Sequence, residues 1–246
     1  MMNLSETNKT AEELINERYV VEKEATCPVC ESHFKHSIVR KIKIKNVGSD
    51  IDLRHYYEPV DPLYYDITTC SQCGYAADAI FFDTLKRAQR DKLVTELSKQ
   101  YTSVKYPAVY TAKEALAMIK QAFFCADIKE SLKSEKAYLC LKTAWLFRDL
   151  GDKEKEMKFL ESAALGFEAA YAEEEFPICT MDNYTYRYLI GAINYLCGEY
   201  EKSSRWIYEI VAEQNINPRL KKRAEDLKND LRQKIAEAAE KKKKEQ

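Results

Sequence analysis

Two periods divide the chain. From Phe34 to about residue 75 apolar and polar positions alternate, the pattern of half-buried strands; beyond Ala76 they recur every three to four residues, the pattern of amphipathic helices. In the first part, Tyr19 to Ala25 reads as extended. Ile42 and Ile44 then alternate with Lys41, Lys43 and Lys45, and Ile51 and Leu53 alternate with Asp50, Asp52 and Arg54. Asn46-Val47-Gly48-Ser49 between them has turn chemistry. A four-residue hairpin loop there sets Lys45 opposite Asp50 and Lys43 opposite Asp52, with the isoleucines and Leu53 on the other face. His55 falls on the apolar side by parity and is expected to be hydrogen-bonded and half-buried. Tyr64 to Thr69 reads as a further strand.

The helical part opens with a helix carrying Phe81, Leu85, Ala88, Leu93 and Leu97 to about Tyr101, ended by Tyr106-Pro107. A second helix covers Ala112 to Lys129. Next come two helical hairpins, one turning at Leu150-Gly151-Asp152 and the other at Cys197-Gly198-Glu199. Glycine in the turn, small residues at the crossing and Tyr200 shortly after it are marks of tetratricopeptide helix pairs. The final helix starts at Pro218 and has a single apolar stripe, Leu220, Ala224, Leu227, Leu231 and Ile235. The expected architecture is α+β: residues 1–18 an N-terminal helical segment, 19–76 a small zinc-ribbon-like antiparallel β module, 77–240 an all-α tetratricopeptide-like domain, and 241–246 a basic tail.

Charge narrows the function classes. Lys and Arg number 39 against 40 Asp and Glu, a formal net charge of −1, which disfavours a protein built around non-specific nucleic-acid binding. The last segment, from Arg219, carries eleven basic and six acidic side chains, a solvated helical face able to meet an acidic partner weakly. No run of eighteen apolar residues suggests a membrane span, and the N-terminus has no apolar secretory core. Cytoplasmic residence is the default, and there the eight cysteines stay reduced.

Four of them state a chemistry. Cys27-Pro28-Val29-Cys30 and Cys70-Ser71-Gln72-Cys73-Gly74 are two Cys-x-x-Cys pairs, together the full ligand set of a closed tetrahedral zinc site. The same set binds iron in rubredoxin-like centres, and a dithiol switch is a third option. Zn2+ as a structural metal is the expectation, with Cys27, Cys30, Cys70 and Cys73 its ligands. His33 is near enough in sequence to replace a cysteine. Cys125, Cys140, Cys179 and Cys197 stand singly in helices and read as small core hydrophobes. The chain lacks a Gly-rich phosphate loop, a Gly-x-Ser-x-Gly elbow and a His-Glu-x-x-His motif, so no enzyme is expected.

CPVC with Phe34 four residues on, Asp50-x-Asp52, Pro62-Leu63-Tyr64-Tyr65, CSQCGYA and AWLFRDLGD (Ala144–Asp152) resemble the bacterial domain-of-unknown-function 2225 family over about residues 19–235. The resemblance implies a cysteine-rich cytosolic protein with tetratricopeptide-like helices and supplies no catalytic residue. One departure is Glu31, at a position where metal knuckles often have Gly. The function expected is a zinc-binding scaffold whose helical domain, with Tyr184, Tyr186, Tyr188 and Tyr195 on a groove, holds a protein or peptide. A redox role for the four-cysteine centre is the alternative, and nucleic-acid binding through Lys41, Lys43 and Lys45 with nearby tyrosines a second. No membrane partner is expected.

Overall fold

Residues 18–101, 106–107 and 109–244 are described by a computed structural model of the protein. The segment expected to form a helix at residues 1–18 and the last two residues of the basic tail lie outside them, Arg18 excepted. Among the described residues are six short strands in three antiparallel pairs, followed by seven α-helices. The chain divides into two compact units, one formed by residues up to Gly48 together with His55–Lys129, the other by Ser49–Arg54 together with the chain from Glu130 onward.

In the first unit, β1 (Val20–Thr26) pairs with β2 (His33–Val39), and Ala25 faces Phe34 across the ladder. β3 (Lys45–Ser49) pairs with β4 (His55–Glu58), and β5 (Ile67–Thr69) with β6 (Ala76–Asp78). Val20, Val39, Val60 and Tyr65 form an apolar cluster on which Tyr19, Ile44, Tyr64 and Tyr110 pack. Two helices complete the unit: α1 (Arg87–Gln100) and α2 (Ala112–Ile128), the latter entered through a capping box in which Thr111 Oγ1 accepts from the Lys113 amide and Glu114 reaches back to the Thr111 amide. Phe81 and Leu85 precede α1 instead of lying in it. The sequence reading split the chain at residue 76, whereas these helices belong to the first unit because the apolar face of α2 packs against β5 and β6.

The second unit holds α3 (Lys133–Asp149), α4 (Lys153–Glu173), α5 (Asn183–Leu196), α6 (Tyr200–Ala212) and α7 (Pro218–Lys244). Two helical hairpins, α3–α4 and α5–α6, stand where the pattern placed them. Both turn through glycine in the left-handed region, Gly151 at φ 73° and Gly198 at φ 78°, conformations that cost an L-residue strain. The helices that follow an acidic cap begin with its carboxylate accepting an amide, Asp152 from Lys155 at 3.1 Å and Asp182 from Thr185 at 2.8 Å. Small residues let the helices close: a Cβ on Gly166 would lie 2.8 Å from the Ala137 Cβ, and one on Gly191 2.6 Å from Ile207 Cδ1. Tyr188, Ala192, Ile207, Ile210, Leu227 and Leu231 belong to the apolar core shared by α5, α6 and α7.

The hairpin drawn from alternation around residues 41–54 is not formed. Lys41–Lys43 is a 3-10 turn, Ile42 is 95% exposed, and Ser49–Arg54 packs in the second unit. The physical reason is a better home for its side chains. Asp52 is fully buried, its Oδ2 accepting from Trp145 Nε1 at 2.9 Å and Arg148 Nη2 at 2.7 Å. Arg148 also holds Asp50 at 2.7 Å and Glu156 at 2.6 Å, and Arg54 pairs with Asp149 at 3.1 Å. Ile51 and Leu53 pack on the helical core. Alternation therefore reported burial correctly at Ile51 and Leu53, and located it on the wrong partner. His55 is likewise exposed and not half-buried, bonded to Asn46 at 3.1 Å.

Candidate metal centre

Each Cys-x-x-Cys pair closes a turn of the same wiring. Cys27 donates its amide to Ser32 O at 3.0 Å and accepts at its carbonyl from the Glu31 amide at 2.9 Å; Cys70 donates to Tyr75 O at 2.8 Å and accepts from Gly74 at 3.0 Å. The fifth residue of each turn is left-handed, Glu31 at φ 61° and Gly74 at φ 76°. The departure at Glu31 is thus one of residue type only: the backbone takes the glycine conformation despite the side chain. The Val29 amide points at Cys27 Sγ, 3.4 Å away.

These turns, one ahead of β2 and one ahead of β6, bring Cys27, Cys30, Cys70 and Cys73 together, all four sulfurs within 4.8 Å of one another. The closest pairs are Cys27–Cys73 at 3.6 Å and Cys30–Cys70 at 3.7 Å. A zinc–sulfur bond of ~2.3 Å in a regular tetrahedron sets neighbouring sulfurs roughly 3.8 Å apart. All four cysteines are free thiols; Cys27 and Cys70 are fully buried and their partners half-buried. The arrangement suits a metal ion.

The crowded sulfurs shift one another's acidity. Hydrogen bonding to Cys70 pushes Cys27 up to about 12, while donation from Cys27 and Cys73 pulls Cys70 down to about 2. Cys73 is pushed up by its contacts with Cys27 and Cys70. A divalent ion held here would be bound by the sulfurs in their deprotonated form.

The sequence did not announce the groups that brace the turns. Arg90, on α1, donates Nε to Val29 O at 3.1 Å and Nη2 to Glu31 at 2.6 Å. Gln121 donates to Gly74 O at 2.8 Å, and Cys125 accepts from the Ala76 amide at 3.4 Å. The Tyr101 ring lies against Gly74, where a Cβ would come within 2.0 Å of it. Only Gly74, explained here by close approach as well as by φ, carried a readable signal. Cys125 is buried as expected but also hydrogen-bonds the second turn. His33 is exposed, bonded to Thr26 at 3.2 Å, and lies outside the sulfur cluster. Asp50 and Asp52, which the sequence set opposite Lys45 and Lys43, are held by Arg148 instead.

Comparison with protein families gives a match over residues 20–235 to DUF2225, described as an uncharacterized protein conserved in bacteria. The chain belongs to this family. No curated protein and no solved structure matches it. Within the family match lie both cysteine turns and two segments that carried the resemblance, Asp50-x-Asp52 and AWLFRDLGD, which bind each other: Trp145 and Arg148 grip Asp52, and Asp149 holds Arg54. No helix among the described residues is long and apolar enough to cross a membrane.

Of the four tyrosines expected on a groove, Tyr186 and Tyr188 are buried in the core, with Tyr186 donating to Phe167 O at 3.1 Å. They face inward because helix α5 is covered by neighbouring helices on both flanks. Tyr184 and Tyr195 pack half-buried on the core. A groove of about 360 Å³ elsewhere on the unit is lined by Glu168, Lys202, Arg205, Trp206 and Glu209.

Proposed function

We propose that this protein is a non-enzymatic cytoplasmic interaction module in which a structural zinc ion clamps the first unit and the helical unit receives a protein or peptide. The observation that carries the reading is the sulfur geometry. Four cysteine sulfurs within 4.8 Å of one another, two pairs of them at 3.6 and 3.7 Å, can fill every position of a zinc ion and leave none open for substrate, the condition of a structural site. The Trp206 groove supports the partner half: an aromatic ring flanked by charges of both signs suits a mixed, partly apolar segment.

Anaerobic purification with elemental analysis tests the metal. One zinc per chain without visible absorption supports the reading, and a red, iron-containing protein replaces it with a redox role. Affinity capture from the native bacterium tests the partner when run beside Trp206→Ala. A protein retained by the wild type and released by the variant supports the groove; an identical retained set from both refutes it.

A further inference from the structure

The turn between β2 and β3 presents an apolar tip ringed by cations. The Lys43 amide closes the 3-10 turn on Arg40 O at 2.9 Å, and the Arg40 amide bonds Tyr19 O at 2.8 Å, so the turn is fixed to the residue just ahead of β1. Ile44 packs against the apolar cluster of the first unit, which leaves Ile42 facing outward at 95% exposure, the most exposed of the large apolar side chains described. Arg40, Lys41, Lys43 and Lys45 are all exposed around it, and Val47, a few residues on, is 48% exposed. The carboxylates that the sequence set against these lysines, Asp50 and Asp52, are occupied by Arg148.

We infer that this turn is a contact site for an anionic lipid surface. Four cations in six residues, in a chain of net charge −1, form a local field far from the molecular average. Basic residues alone would serve nucleic acid equally well. The isoleucine at the tip decides between the two, because an aliphatic side chain gains nothing beside phosphates and gains free energy when it enters the acyl boundary between them. Each basic residue near an anionic bilayer strengthens binding about fivefold, so four give a gain of several hundredfold, enough for reversible association and too little for permanent anchoring.

Co-sedimentation of the full-length, metal-loaded protein with vesicles tests this. The comparison is phosphatidylcholine alone against phosphatidylcholine containing phosphatidylglycerol, at low and high salt. Binding is expected only to the anionic vesicles and to weaken with salt. Lys41→Glu/Lys43→Glu should reduce it at least about 25-fold. Ile42→Ser should reduce it about fivefold or more with the salt dependence unchanged. All three positions are exposed, so circular dichroism of the variants should match the wild type. Equal binding to both vesicle types, undiminished binding by Ile42→Ser, or displacement from anionic vesicles by a single-stranded oligonucleotide at equal charge concentration would each overturn the inference.

Discussion

Asp52→Asn is the most exacting perturbation of the helical unit. The carboxylate is fully buried and its Oδ2 receives the Trp145 indole N–H at 2.9 Å and an Arg148 N–H at 2.7 Å. At that distance the gross attraction between unit charges is about 6 kcal/mol for an effective dielectric constant of 20. Desolvation cancels much of it, and breaking a buried pair by removing one partner costs about 3–5 kcal/mol. Arg148 keeps Asp50 and Glu156, which lowers the expected loss to about 3 kcal/mol. Asp50→Asn should cost under about 1 kcal/mol, because its side chain is 40% exposed and solvent screens the pair. The assay is urea unfolding followed by tryptophan fluorescence. Trp145 and Trp206, the two tryptophans of the chain, both lie in the second unit, so the signal reports that unit alone. Burial holds Arg148 down, yet Asp52 and Glu156 more than offset this and keep it charged, so the loss should persist from pH 6 to 9. Equal losses for Asp52→Asn and Asp50→Asn would refute the reasoning, since burial is what distinguishes them.

Cys27→Ser or Cys70→Ser, or chelation of the metal, should unfold the first unit while most helical circular dichroism and the tryptophan transition survive; a single joint melting would contradict this. Alkaline stability is fixed by buried phenols. Burial pushes Tyr188 up to about 12, so its contribution is complete below the ordinary tyrosine value near 10 and is lost as pH rises through 12, by about 1.4 kcal/mol per pH unit. Urea midpoints measured by fluorescence between pH 9 and 11.5 should fall accordingly, and a flat profile would remove the phenol from the account. Gly166→Ala and Gly191→Ala should each lower the thermal midpoint, because the new methyl would lie 2.8 Å from the Ala137 Cβ in one and 2.6 and 2.8 Å from Cδ1 and Cγ1 of the buried Ile207 in the other. An unchanged midpoint in either variant would show that its helix contact relaxes without cost.

Helix signals carried the farthest from sequence to structure. The second hairpin was readable because Gly198 and the run from Tyr200 are local devices, and the same holds for Gly151 ahead of its acidic cap. The four cysteines were readable because ligand spacing is also local, although their convergence joins turns forty residues apart. What escaped depended on distant partners. Period-two alternation at Ile51 and Leu53 specifies burial without naming the neighbour, and a half-buried arginine ninety-six residues on was a stronger claimant for Asp52 than any lysine on an adjacent strand. Tyr186 and Tyr188 failed for a related reason. A tyrosine ring buried with its hydroxyl satisfied and one at a groove rim leave the same trace in a helical pattern. Arg90 gave no signal, because a helical arginine on a polar face is the commonest use of that residue.

The grip of Trp145 and Arg148 on Asp52 also sets a timetable for the growing chain. The partners are separated by 93 and 96 residues. At bacterial synthesis rates of about 5–20 residues per second, the acidic loop leaves the ribosome roughly five to twenty seconds before its receptor is made. During that interval Asp50, Asp52, Ile51 and Leu53 wait in water, and the helical unit cannot close until they are recaptured across a long loop. Closing the helical unit therefore requires later-made helix to recapture early-made sequence, so variants of the loop should slow maturation in the cell as well as lower equilibrium stability.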